Sequence, residues 1–100
     1  MAVAFLIEIP GMTQEQGAAV IRELSAEMGL AEGKSPAGQI LHIEGPMEGG
    51  LRVVDVWESQ EAFNAFVGAR LMPLLQKLGV AVPPDFAPKA VWPVSALLTK

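Results

Sequence analysis

Leu51 to Leu78 reads LRVVDVWESQEAFNAFVGARLMPLLQKL and changes its hydrophobic period once, at Glu58-Ser59. Before that point the residues alternate. Val54 and Val56 fall on one side of an extended chain, and Val53, Asp55 and Trp57 on the other. After it, Phe63, Phe66, Val67, Leu71, Leu74, Leu75 and Leu78 recur at steps of three and four, the spacing of one helical face. Ser59 is a helix N-cap residue, and Glu61 places a negative charge in the first turn, where the helix dipole is positive. The stretch predicts a strand joined directly to a core-facing helix. Pro73 removes the bond to Ala69 and bends that helix.

Upstream, Val3 to Ile9 alternates Val3, Phe5, Ile7 and Ile9 against Ala4, Leu6 and Glu8, and Pro10-Gly11 ends it as a first strand. Thr13 with Gln16 forms a capping box. Val20, Ile21, Leu24 and Met28 make a helical stripe, and Gly29 is a C-cap. Ala31 to Gly38 reads as a surface connection. Gln39 to Glu44 is a second strand, with Ile40, His42 and Glu44 on one face and Leu41 and Ile43 on the other. Gly45-Pro46 and Gly49-Gly50 bracket a hairpin-like loop. The Pro83-Pro84 to Pro88 segment is too rich in proline for helix or central strand. Lys89 to Val94 is an edge strand limited by proline, and the tail Ser95 to Lys100 extends it or reaches a partner chain.

The order strand, helix, strand, strand, helix, strand predicts an α+β fold. Its expected form is a ferredoxin-like βαββαβ sandwich over residues 1–100, with an antiparallel sheet and both helices on one face. Leu41 and Ile43, with Val54 and Val56, are expected to meet the helices. His42, Asp55 and Trp57 would then share the uncovered face.

The chain is 51% hydrophobic and 18% charged, against a usual charged share of about 25%, so a single copy has apolar surface left over. Two helices cover one sheet face only. Burying the other against a second copy predicts a homodimer. Net charge is −4 and the seven Lys and Arg are scattered, which argues against nucleic acid as a partner. Cysteine is absent, which excludes disulfides and thiolate chemistry and is compatible with a cytoplasmic location. Met1 to Ile9 reads as a strand, not a signal or membrane span. One His with scattered carboxylates lacks metal-ligand spacing, and neither a phosphate cradle nor a serine elbow is present, so no metal or cofactor is expected.

Val53-Val54-Asp55-Val56-Trp57-Glu58-Ser59 leading into Glu61-Ala62-Phe63 resembles the strand-to-helix signature of the dimeric α+β barrel superfamily, which includes the antibiotic biosynthesis monooxygenase type. Leu71-Met72-Pro73-Leu74-Leu75, Gly79 and Pro83-Pro84 are similar to a branch of small bacterial proteins there. The resemblance implies two ferredoxin-like protomers with their sheets facing, and cavities for small molecules. It also implies cofactor-free oxidation of quinol-like substrates, with Trp57 at the position of the family's strand Trp. Haem-degrading members use a His on the second helix and an Asn on the first strand. Ser59 to Leu78 holds no His, and Val3 to Ile9 no Asn.

His42, the only histidine, is the general acid or base if it lines a cavity, and otherwise a hydrogen-bonded or surface side chain. Asp55 is disfavoured mid-strand between valines. It either shuttles a proton from an apolar site or pairs with Arg52, His42 or a partner chain. Trp57 either stacks on a flat ligand or anchors the end of the barrel, and Trp92 either touches ligand or packs an interface. Leu6 and Glu8, beside Ile9 on the first strand, complete the candidate ligand surface, with an edge or interface salt bridge as the other reading of Glu8. The function expected is binding of a hydrophobic or aromatic small molecule, with cofactor-independent oxygenation or isomerisation. The alternative is a non-catalytic ligand-sensing or structural dimer.

Overall fold

The structure is a computed structural model that describes residues 1–83 and 86–99. Pro84 of the proline loop and Lys100 of the tail lie outside the described residues. The chain runs β1 (Val3–Pro10), α1 (Gln14–Met28), β2 (Gln39–Met47), β3 (Gly50–Trp57), α2 (Gln60–Phe66), a π-helical stretch (Val67–Leu71), α3 (Met72–Lys77) and β4 (Ala90–Pro93). The four strands form one antiparallel sheet in the order β2-β3-β1-β4. The fold is α+β, with the four-stranded sheet packed against two helical segments.

The ends of the helices follow their local signals. Thr13 accepts from the Gln16 N–H at 3.1 Å while the Gln16 side chain accepts from the Thr13 N–H at 2.9 Å, completing the capping box. Gly29 closes α1 in the left-handed region at φ 65°, which glycine adopts without the Cβ penalty. Ser59 Oγ accepts from the Ala62 N–H at 3.0 Å and starts α2. The second helical segment does not simply bend at Pro73. Its register widens one turn earlier, where the Met72 N–H bonds to Val67 five residues back. Pro73 has no N–H to give, and the π-helical stretch adjusts the helix to that missing donor.

The two faces of the sheet are assigned opposite to expectation. Across β1 and β3 the register pairs Phe5 with Asp55, Ile7 with Val53 and Ile9 with Leu51, and these side chains meet the helices. Phe5, Ile7, Leu51, Val53 and Trp57 form one core with Val20, Phe63, Leu74 and Leu75. Phe5 stacks on Phe63 with ring centroids 3.9 Å apart. Leu41, Ile43, Val54 and Val56, expected beneath the helices, lie instead on the outer face beside Leu6 and Trp92. The cause is bulk: Trp57 and Phe5 are fully buried because they pack on Phe63 and Phe66 of the helix layer.

Two boundaries also move. Gly45 and Pro46 belong to β2, whose ladder with β3 runs to Met47↔Gly50, so the turn is reduced to Glu48-Gly49, with Gly49 at φ 76°. Pro46 is tolerated because β2 is an edge strand. The β4 edge is short, but Lys89 donates to Leu6 and Val94 to Ala2, so backbone pairing spans the expected Lys89 to Val94. The tail does not extend the strand: Ser95 to Thr99 is not strand, and Leu98 is exposed.

Candidate functional site

Asp55 occupies the middle of β3 on the helix-facing side and is 6% exposed. The β2–β3 register sets His42 directly opposite it, and Glu44 follows His42 by two residues on the same face. Gln39 joins them through a β-bulge. Ile40 is the extra residue between Gln39 and Leu41, so Gln39, three before His42, faces the same side.

These side chains form one hydrogen-bonded chain. His42 Nδ1 is 2.6 Å from Asp55 Oδ1, and His42 Nε2 is 2.8 Å from Glu44 Oε1. Asp55 Oδ2 accepts from Gln39 Nε2 at 3.2 Å and from the Trp57 indole N–H at 3.1 Å. Asp55 thus takes three hydrogen bonds, which explains how a carboxyl persists in the core. The bond from Asp55, reinforced by that from Glu44 and opposed by partial burial, raises His42 from its ordinary 6.5 to about 9. At neutral pH His42 is an imidazolium with both N–H groups engaged. In that state it can yield a proton but cannot take one.

The chain forms one wall of a cavity of about 610 Å³ between the sheet and the helices. Val20 and Leu24 of α1, Phe63 of α2, and Leu71 and Leu75 beyond it supply apolar walls, His42, Glu44 and Asp55 with Gln39 supply a polar one, and Ser25, Lys34, Ser35 and Asn64 add polar groups elsewhere on the lining. The volume falls within the range of small-molecule sites, which are apolar pockets with a few convergent polar groups. Val67, Gly68 and Leu71 bring the π-helical stretch to the cavity edge, a setting in which such stretches recur.

His42 and Asp55 come together as paired candidates on the cavity wall. Trp57 lies behind that wall, with no exposed surface: its indole holds Asp55, its ring packs edge-on to Phe63 at 6.1 Å and lies 4.9 Å from Phe66, and it does not line the cavity. Leu6, Glu8 and Trp92 are on the opposite, outer face of the sheet. There Glu8 accepts from Arg52 of the neighbouring central strand at 2.8 Å and lies 3.9 Å from Lys89 beside the β4 edge, so it is salt-bridged on the outer face. Glu44 and Gln39 were not singled out from the sequence. The signal for Glu44 was its two-residue spacing from His42; Gln39 had none, because alternation without the bulge turns it away.

Among the described residues, no group of three or more His, Asp or Glu is placed to hold a metal ion. Glu44 and Asp55 flank opposite nitrogens of one imidazole and converge on no common point. Among the described residues, no helix is long and apolar enough to cross a membrane. No protein-family model, curated protein or solved structure matches this chain.

Proposed function

We propose that this protein binds a hydrophobic or aromatic small molecule in the cavity between sheet and helices, as a homodimer of the dimeric α+β barrel type. The observation that carries this reading is the cavity itself: about 610 Å³, apolar on most sides, with Glu44, His42 and Asp55 on one wall. The strand order β2-β3-β1-β4 with helices after β1 and β3 supports a ferredoxin-like protomer. The outer face, with Leu6, Leu41, Ile43, Val54 and Trp92, supports pairing of two copies through their sheets.

Bound there, a substrate sits against an imidazolium held between two carboxylates. Cofactor-independent isomerisation uses the His42 imidazolium as acid and a carboxylate of Asp55 or Glu44 as the returning base. Oxygenation of a quinol-like substrate uses dioxygen, one atom entering the substrate and the other leaving as water, with the electrons drawn from the substrate. A non-catalytic ligand-sensing dimer is the second reading. It is favoured by the engagement of both His42 nitrogens, which leaves the imidazole no free nitrogen to act as base.

Native mass spectrometry and thermal shift with a panel of flat aromatic and quinone-like compounds test the binding. Stoichiometric adducts that disappear when the cavity is filled by Val20→Phe support it. A panel that neither binds nor raises Tm, with the variant as stable as the parent, would sink it. For a bound compound, turnover lost in His42→Gln with retained binding selects the catalytic reading.

A further inference from the structure

The polar wall has an unbalanced supply of hydrogen bonds. A protonated imidazole has two N–H groups and an indole one, and all three are directed at the carboxylates of Asp55 and Glu44. One N–H of Gln39 is also directed at Asp55. Glu44 Oε2 is different. Among the described residues no protein donor reaches it, and because no fully buried side-chain oxygen there lacks a partner, it meets water in a side chain that is 22% exposed. Its place is set by Gly17 of α1, where a Cβ would stand 2.7 Å from Oε2. Only a residue without a side chain lets the carboxylate lie against the helix.

Glu44 also stands at a junction. It lines both the main cavity and a more open hollow beside it, where Ile21, Ser25, Leu30 and Gly33 are shared. The route to solvent on this side therefore passes Glu44, between α1 and the connection before β2. The other charges near it are Arg22 and Glu32 at the hollow and Lys34 at the cavity rim, all three exposed. Those charges are screened by water more strongly than Glu44, whose side chain is 22% exposed.

The geometry points to Glu44 as the residue that selects the ligand: an apolar molecule carrying a protonated amine, with the ammonium on Glu44 Oε2 and the apolar body against Phe63, Leu71 and Leu75. This rests on the cavity being a ligand site. Carbonyl and carboxylate heads meet acceptors on this wall, where the second N–H of Gln39 is the one donor left, and the donors of Ser25, Lys34, Ser35 and Asn64 lie elsewhere on the lining. An ammonium takes the place of water at Oε2 and forms a charge-assisted bond there.

Isothermal titration with 2-naphthylmethylamine, 2-naphthylmethanol, 2-naphthoate and 2-methylnaphthalene tests the assignment. The amine is expected to bind roughly tenfold tighter than the hydrocarbon and the carboxylate more weakly than both, the scale of a hydrogen bond to a charged group. Glu44→Gln is expected to bring amine and alcohol within about threefold of each other while the hydrocarbon affinity holds. In the parent protein, nuclear Overhauser contacts from the amine's methylene to the Gly17 Hα protons are expected, a readout that needs no variant. Preference for 2-naphthoate, an amine preference that survives Glu44→Gln, or methylene contacts confined to Lys34 overturns the assignment of Glu44 and leaves the cavity reading standing. Failure of all four probes to bind overturns both.

Discussion

Asp55 Oδ1 stands 2.6 Å from His42 Nδ1 across the β2–β3 register, and the other nitrogen of the same imidazole is 2.8 Å from Glu44. The imidazole is thus clasped between two carboxylates on the wall of the cavity. Its charge is a property of the folded state, since an unfolded chain holds neither carboxylate against it.

That difference makes stability depend on pH in a definite window. His42 is raised from 6.5 to about 9, so the folded protein binds its proton more tightly than the unfolded chain. The stabilisation is fully present below pH 6.5 and is lost as pH rises through about 9. Urea unfolding of the parent and of His42→Gln between these values is expected to show stability falling in the parent only. A His42 Hε1 resonance titrating near 6.5 would contradict the clasp.

Asp55 holds three donors, and their loss is unequal for different substitutions. Asp55→Ala leaves the fully buried Trp57 N–H without a partner and removes the main support of the His42 charge. A cost of about 2–5 kcal/mol is expected from the orphaned donors. Asp55→Asn keeps one acceptor oxygen and is expected to lie between the parent and Asp55→Ala, with His42 titrating closer to its ordinary value. Denaturant midpoints give the first quantity and NMR titration the second. An Asp55→Ala variant as stable as the parent would show that these bonds add nothing.

The signals that worked in the sequence are local. Thr13 with Gln16, Gly29 and Ser59 act within a turn of where they sit, and the change of period at Glu58-Ser59 marks a real junction. Which face of the sheet meets the helices is a long-range matter. Val54 and Val56 are as apolar as Val53 and its neighbours, so alternation predicts two faces without saying which is inside. The polarity of Asp55 pointed the wrong way, because a buried carboxyl is costly only when unpartnered, and its donors Gln39, His42 and Trp57 come from two strands. The bulge at Ile40 and the π-helical stretch before Pro73 each shift a register by one residue, which periodicity cannot register.

Gly17 lies inside α1, where Ala is favoured over Gly by about 1 kcal/mol on helix propensity alone. The packing opposes that gain. An added Cβ would stand 2.7 Å from Glu44 Oε2 and 2.8 Å from Leu51 Cδ2. Leu51 is 2% exposed and Glu44 is held by His42, so neither neighbour moves freely. Gly17→Ala is therefore expected to lower stability by about 1–2 kcal/mol, and by less in a Leu51→Val background, where the crowding methyl group is gone. A thermal melt in which Gly17→Ala raises Tm would show that propensity wins and that the carboxylate is not pinned.

Ile43 and Val54 are cross-strand partners on the outer face, and Ile43 is 55% exposed in the single chain. Trp92 on the other edge strand and Leu6 between them continue the same apolar surface. Contiguous patches of this kind mark interaction sites, and a two-fold pairing of sheets places each copy's patch on the other. A lysine at position 43 would bring two ammonium groups into such an interface, whereas it would sit in water on a lone protomer. Light scattering behind a sizing column is therefore expected to give twice the chain mass for the parent and the mass of one chain for Ile43→Lys at micromolar concentration. A parent protein that already runs as one chain refutes the pairing, and a variant that stays dimeric moves the interface away from this face.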